Sequence, residues 1–311
     1  MTQVIAPYVT QQGRVESYIS IEEFKFSATA SAIDFTNLVA NGAQAAQDRA
    51  LYELIVRASS KIDVFCMGKL GTLNSTVNSE QGRYRMDRKG RFKVHPSFGP
   101  VTAINDFAWG PLMGSLNTVP ITVNNAWPEQ DSIVFQAFGA ANVNYFAGMQ
   151  AFNYIVSGQP YDGEFYTQFT YTSGYPNSFT TATSNAGDTT LSLKDVTGLY
   201  PLMNNTVWDG VNDEYIQIAS NYVPGTNPIT LTSPLLYKHG SGVNVSTIPA
   251  IVKQACIHFT VAMVKQRGQG GFVLNEIGEP TAVTGKSETS MEDEIKGYDL
   301  LDEFKSVWSR S

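Results

Sequence analysis

The residue types that usually carry catalysis or metal binding are few in this sequence and widely separated. The three histidines are His95, His239 and His258, and the two cysteines, Cys66 and Cys256, form no CxxC pair. A metal or acid–base centre needs several such side chains at suitable spacing. No GxSxG, HExxH, GxxxxGK[ST] or GxGxxG motif occurs either. We therefore expect no enzyme activity, no metal and no cofactor, and we interpret both cysteines as buried reduced thiols.

A short basic segment is the clearest charge feature, because it carries a local charge of +5 in a chain whose net charge is −7. The strand patterns Glu80–Arg85 and Arg91–His95 flank a turn and predict a β-hairpin. Cations that share one face of such a ribbon repel one another unless they face acid or phosphate. Three interpretations stay open: a solvated hairpin, contact with an acidic protein surface, and contact with DNA. The basic residues are Arg83, Arg85, Arg88, Lys89, Arg91 and Lys93.

The composition of the 311-residue chain excludes several protein classes. Charged residues make up 16% and hydrophobic residues 42%, whereas soluble domains average about 25% charged residues. This combination is typical neither of disordered chains nor of coiled coils. The first 17 residues lack an apolar signal core, and Lys253, Gln254 and His258 interrupt the most apolar helical stretch. We therefore expect neither a signal peptide nor a membrane span.

Helical periodicity predicts two long helices and a shorter one near the end of the chain. Ser20 and Glu23 form a capping-box pattern that starts a short first element. The long helices are predicted over residues 43–67 and 248–267. After a glycine-rich hinge, residues 276–311 carry a net charge of −5. An apolar stripe on this acidic arm needs a docking surface, either its own core or a neighbouring protein. The stripe consists of Ile295, Tyr298, Leu301, Phe304 and Trp308.

Strand patterns dominate the middle of the sequence. Glu164–Thr172 alternates aromatic residues with threonine and predicts a strong strand. Five short strands punctuated by turns predict a small sandwich or barrel. The resulting division is 1–109 (first part of the core), 110–163 (β-rich insertion), 164–179 (core strand), 180–247 (inserted small β domain), 248–275 (core helix) and 276–311 (acidic C-terminal arm).

The order of several segments resembles the head-to-tail adaptor (connector) proteins of tailed bacteriophages. The matching segments are YISIEEF (18–24), LIVRASSKIDVFC (54–66), His95-Pro96, PVTAI (100–104), FTYTSGYP (169–176) and IPAIVKQA (248–255). In that family a strand ending in Gly-Tyr leads almost directly into a helix that starts with proline. Here residues 177–247 intervene, and DTTLSL (188–193), EYIQI (214–218) and ITLTSPLLYKH (229–239) look like a small β module of phage structural proteins.

The resemblance implies an α+β fold, with a helical adaptor core that carries the β-hairpin and two β-rich insertions. It implies a homo-oligomeric ring, typically a dodecamer, that docks on the portal protein and extends the DNA channel. A stopper or tail protein would lie below the ring, passing DNA would touch it transiently, and no membrane is involved. The expected location is the head–tail junction of a virion assembled in the host cytoplasm. Because strong cations would hold DNA in the channel, we expect the basic hairpin to meet the portal or a neighbouring subunit, and the apolar stripe to grip the portal.

The alternative hypothesis is a tail- or surface-associated binding module that recognises carbohydrate. Its β-rich insertions contain aromatic side chains that could stack on sugar rings, although alternating aromatics in strands more often form the core. The candidate stacking residues are Tyr161, Phe165, Tyr166, Tyr171, Trp208 and Tyr237.

Overall fold

Strands outweigh helices in this protein. The computed structural model describes residues 16–31, 33, 38–39, 42–67, 71–87, 90–122, 124–129, 132–136, 164–267, 272–274, 280–282 and 288–304. Within these ranges, 35% of the residues lie in strands and 28% in helices. The predicted helical adaptor core with β insertions is therefore wrong. The segments interpreted as insertions join strands from the rest of the chain in shared sheets, so they form much of the framework.

The chain divides into two compact units, whose boundaries differ from those of the predicted segments. Unit 1 contains Thr76–Gly174, and unit 2 contains Gly13–Ser75 together with Tyr175–Ser311. Unit 1 has two antiparallel sheets, with strand orders β1-β7-β3-β4 and β2-β6-β5. Its strands are β1 (Thr76–Arg85), β2 (Arg91–Val94), β3 (Val101–Leu112), β4 (Ser115–Val119), β5 (Ala126–Glu129), β6 (Ser132–Gln136) and β7 (Glu164–Ser173).

Aromatic side chains fill the core of unit 1. The predicted strand at 164–172 is confirmed as β7, which lies between β1 and β3 and buries alternate side chains. From this strand, Phe165 packs edge-on against Phe92 with ring centroids 5.9 Å apart. Phe107 on β3 stacks on Phe135 of β6 at 3.9 Å. The rings join the two sheets, because their large apolar area leaves water only when the sheet faces meet.

The basic segment does not form the predicted two-stranded hairpin. The chain does reverse at the expected place, where Asp87 accepts a hydrogen bond from the backbone N–H of Arg91 at 2.9 Å. However, β1 pairs along its whole length with β7, and β2 pairs with β6. An isolated β-bridge between Met86 and Phe92 connects the two arms of the turn, β1 and β2. The two arms therefore enter different sheets.

The described helices all lie in unit 2 and share one core. They are α1 (Ile21–Phe26), α2 (Gln44–Met67), α3 (Ala250–Arg267) and α4 (Glu288–Leu301), followed by a 3-10 turn at Asp302–Phe304. The two long predicted helices are confirmed as α2 and α3. The last helix begins seven residues before Ile295, the first residue of the apolar stripe, so the acidic residues Glu292, Asp293 and Glu294 lie inside it. Cys66 and Cys256 are buried free thiols, as predicted, and burial raises the pKa of each to about 12.

Short strands separated by turns, as the sequence predicts for residues 180–247, lie within unit 2. Residues 177–246, here called the β module, have their own aliphatic core, which includes Leu191, Val207, Ile218 and Val245. One antiparallel sheet has the order β11-β10-β13-β8, and β12 pairs with β9. The strands are β8 (Asn177–Phe179), β9 (Thr190–Leu191), β10 (Asn204–Trp208), β11 (Glu214–Gln217), β12 (Ile229–Thr230) and β13 (Asn244–Ser246); outside the module, β14 (Phe272–Leu274) pairs with β15 (Pro280–Ala282).

Candidate functional site

The apolar stripe of the C-terminal arm lies mainly on the chain's own core. Leu301 is fully buried, and the Tyr298 ring lies 4.9 Å from Phe65 and 5.0 Å from Phe259. Phe304 packs against the same core. Ile295 is 54% exposed, and Trp308 lies outside the described residues. Of the two docking surfaces that the sequence left open, α2 and α3 therefore account for most of the stripe, and its portal contact stays a prediction.

Gly297 allows α4 to approach α3 closely. A Cβ atom at this position would lie 2.7 Å from the ring of Phe259. We expect Gly297→Val to loosen α4 and to destabilise unit 2 by about 1–3 kcal/mol, the usual cost of overpacking a well-filled core. Hydrogen exchange of the α4 amides would measure this effect. Lys296→Val is the control, because Lys296 is the exposed neighbour; equal exchange in both variants would contradict the close packing.

An open groove of about 550 Å³ runs beside the docked C-terminal helix. Five of its lining residues come from the last three turns of α2, and the sixth comes from α4. Val64 is 54% exposed although it is apolar, so the groove offers an apolar floor to solvent. The lining residues are Arg57, Ser60, Lys61, Val64, Phe65 and Tyr298.

Two cationic side chains line the groove, and contacts within the protein hold one of them in place. Lys61 forms an ion pair with Glu294 of α4. Its ammonium group also lies 4.7 Å from the Phe259 ring and 4.9 Å from the Tyr298 ring, positions in which the negative faces of the rings attract a cation. Arg57 on the rim is exposed. The groove thus combines an apolar floor with an exposed guanidinium group, which suits a partner segment that is apolar and acidic.

Acidic residues of the arm meet basic residues of the same unit. Asp293 is buried and lies 2.6 Å from the ammonium group of Lys265 and 3.5 Å from the ring of His258, both on α3. Asp293 therefore pairs α4 with α3, which anchors the arm.

The cations of the predicted hairpin have partners within unit 1. Arg83 stacks on the ring of Tyr166 at 4.4 Å and donates to its hydroxyl group. Arg91 lies 2.7 Å from Asp87, and Lys93 lies 3.2 Å from Glu129. Arg85 is opposite Glu164 in the β1–β7 register, and Arg88 and Lys89 lie outside the described residues. Local acids and an aromatic ring therefore reduce the self-repulsion that suggested an external anion.

Most of the proposed sugar-stacking residues are covered by protein. Phe165 and Tyr171 are buried in the core of unit 1, and Arg83 covers Tyr166. Trp208 faces the ammonium group of Lys253 at 4.7 Å. Tyr237 is 45% exposed, and Tyr161 lies outside the described residues. A flat row of exposed rings, which sugar binding would use, is not formed by the described members of this set.

Two buried polar clusters were missed by the sequence analysis. The ring of His239 is fully buried between Asp209 at 2.8 Å and Glu214 at 3.1 Å. Lys253 is also buried and lies 3.0 Å from Glu23 of α1. A lysine on the apolar side of a core helix was the available signal for the second cluster, because buried lysines are rare unless they have a partner.

The described residues hold no group of three or more histidine, cysteine, aspartate or glutamate side chains that could bind a metal ion. None of the helices in the described ranges is both long and apolar enough to cross a membrane. Comparison with known protein families, with curated proteins and with solved structures finds no match for this chain.

Proposed function

We propose that this chain is a structural subunit of the head–tail junction of a tailed bacteriophage, an adaptor that forms a ring with its own copies and docks on the portal. In this role it extends the DNA channel, holds a stopper or tail protein below, and touches passing DNA transiently. It acts in the virion after assembly in the host cytoplasm. The proposal rests on the sequence resemblance together with one structural observation.

That observation is the convergence of three of the six resembling segments. Residues 18–24, 54–66 and 248–255 are far apart in the sequence, yet they contribute side chains to one core in unit 2. Tyr175, at the end of the resembling strand 169–176, packs against the same core. Segments that a protein shares with a family are expected to pack together if they form the common core of that family's fold. This convergence supports an adaptor role without depending on the overall helix content.

The groove beside α4 is the part of this framework that suits a partner. Its floor contains Val64, and Ile295 is a second exposed apolar residue one helical turn before Tyr298. Exposed apolar groups that neighbour a cationic rim are typical of protein contacts. We assign portal or neighbour binding to this surface, and not to the buried part of the apolar stripe.

Electron microscopy of the purified protein, alone and mixed with its portal, tests the proposed function. We expect rings, or collars bound to portal particles. Monomers that leave the portal bare would contradict the adaptor role. Glycan-array binding by such monomers would support the carbohydrate alternative.

Val64→Asp should weaken binding to the portal or the ring by about tenfold or more, because a charge in an apolar contact costs at least about 1.4 kcal/mol. Val223→Asp is a matched control, since Val223 is 61% exposed on the β module of the same unit. Sedimentation and portal pull-down would compare the two variants. Equal binding by both would exclude the groove as the contact. A deletion of 276–311 is less informative, because it would uncover the core that Leu301 closes.

A further inference from the structure

Lys253 is held in a closed polar site between α1, α3 and the β module. Its Nζ atom lies within hydrogen-bond distance of Asn244 Oδ1 (2.8 Å), of the backbone oxygen of Tyr18 (3.0 Å) and of both Glu23 carboxylate oxygens (3.0 and 3.1 Å). The side chain of Lys253 is 3% exposed and that of Glu23 is 9% exposed. The Trp208 ring forms one wall, at 4.7 Å from Nζ.

Burial makes the ammonium group of Lys253 easier to deprotonate. Burial lowers the pKa of Lys253, although attraction to Glu23 opposes the change. Burial likewise raises the pKa of Glu23, against the pull of Lys253. Lys253 also lies in the first turn of α3, where the positive end of the helix dipole disfavours another cation. Transfer of one proton from Lys253 to Glu23 therefore gives a free amine beside a carboxylic acid, and a desolvated amine is a good nucleophile.

Asn244 places an amide carbon next to this amine. A carbonyl bond is about 1.2 Å long, so an Nζ–Oδ1 distance of 2.8 Å leaves Nζ about 3–4 Å from Cγ, close to the separation of a near-attack geometry. The Asn244 Nδ2 group donates to Asn177 Oδ1 at 2.8 Å and to the Ser178 carbonyl at 3.2 Å. These two hydrogen bonds must break for the amide plane to turn its Cγ face to Nζ, a rotation about a torsion that is itself soft in asparagine.

We propose that Lys253 and Asn244 form an intramolecular isopeptide bond, with Glu23 as the catalytic acid and base. The neutral Nζ attacks Cγ, and its electron pair forms the new N–C bond while Glu23 protonates Oδ1. Glu23 then removes a proton from Nζ and passes it to Nδ2. The Cγ–Nδ2 bond breaks and ammonia leaves, while the Oδ1 hydroxyl returns its proton to Glu23 and the carbonyl re-forms. Glu23 ends in its starting protonation state, and no oxidant, reductant or external reactant is needed.

The position of the two residues gives this bond a structural purpose. Asn244 lies on β13 of the β module, directly opposite Trp208 in the ladder, and Lys253 lies on a helix of the shared core of unit 2. The bond would fasten the last strand of the module to that core. This inference does not depend on the proposed phage function, because any chain with this site would carry the crosslink.

Mass spectrometry of the purified wild-type protein tests the inference directly. We expect the denatured chain to be lighter than its sequence by the mass of one ammonia molecule, and proteolysis to yield a branched peptide that joins Asn244 to Lys253. An unchanged mass after prolonged incubation at neutral pH would overturn the inference. Ammonia loss without the branched peptide would also overturn it, because Asn41-Gly42 can lose ammonia by forming a succinimide.

Two variants separate the chemistry from folding. Glu23→Gln keeps the size and much of the hydrogen bonding of the side chain but removes the proton carrier. We therefore expect the crosslink to form at least about 100-fold more slowly, which is the usual effect of losing a general acid–base group. Lys253→Met removes the nucleophile and should give the full sequence mass. Circular dichroism would confirm that each variant folds, and rapid crosslinking in folded Glu23→Gln would refute the catalytic role of Glu23.

Discussion

Replacing Glu23 with alanine will lower the free energy of unfolding of unit 2 in the uncrosslinked chain by about 3–5 kcal/mol, the usual cost of removing one partner from a buried ion pair. The variant leaves the Lys253 side chain, which is 3% exposed, with its carbonyl acceptors but without a counter-charge. It also removes the group that we propose as the catalyst of the crosslink, so the loss cannot be recovered by the covalent bond. Both consequences act in the same direction.

Urea denaturation followed by helical circular dichroism would measure this loss, because the described helices all belong to unit 2. Glu22→Ala is a matched control on the same helix. Glu22 is 59% exposed and lies 3.7 Å from Lys25, and a surface pair of this kind is worth about 0–1 kcal/mol. Lys253→Met in the Glu23→Ala background should recover much of the stability, since it removes the unpaired charge. Equal losses in Glu22→Ala and Glu23→Ala would contradict the role of the buried pair.

The helices and the short strands of the β module could be predicted because their signals are local. The α2 and α3 patterns repeat over several turns, and each module strand is bounded by turn residues. The Ser20 cap was also a local signal, and its Oγ accepts from Glu23 N–H at 3.0 Å. Glu23 itself was expected to complete the capping box. Its carboxylate instead accepts from Lys253, which lies 230 residues further along the chain, and a local rule cannot identify that partner.

Long-range pairing also explains why the fold class was predicted wrongly. The turn at Asp87 was visible in the sequence, and a hairpin is the simplest structure for two strands beside a turn. Yet β1 pairs with β7, with Arg85 opposite Glu164. The sequence spacing could not reveal this partner, because β pairing depends on which apolar faces meet in space. The resemblance also gave the helices too much weight, since three of its six segments belong to α1, α2 and α3, while residues 110–163, which supply β4, β5 and β6, were treated as an insertion.

The pH dependence of stability gives the second large effect, at Asp63 of α2. This carboxylate is buried and accepts hydrogen bonds from the Tyr18 hydroxyl and from Leu73 N–H, the latter at 2.9 Å. Burial raises the pKa of Asp63 from 3.8 to about 6, although these hydrogen bonds oppose the shift. Between pH 4 and 6 the folded chain therefore keeps a proton that the unfolded chain has released. The contribution of Asp63 to stability is complete below about pH 4 and is lost as the pH rises through about 6.

Asp63→Asn removes this titration while keeping an acceptor oxygen for Tyr18 and Leu73. We expect the stability of the variant, relative to wild type, to rise by up to about 3 kcal/mol between pH 4 and pH 7, the free energy of a shift of about two pKa units. Any constant cost of burying the amide NH₂ group cancels in this difference. Asp48→Asn is the control, because a hydrogen bond from Lys25 lowers the pKa of Asp48, so its titration falls below this range. Parallel pH profiles for wild type and Asp63→Asn would mean that Asp63 is already ionised in the folded chain at pH 4, and that the hydrogen bonds from Tyr18 and Leu73 outweigh its burial.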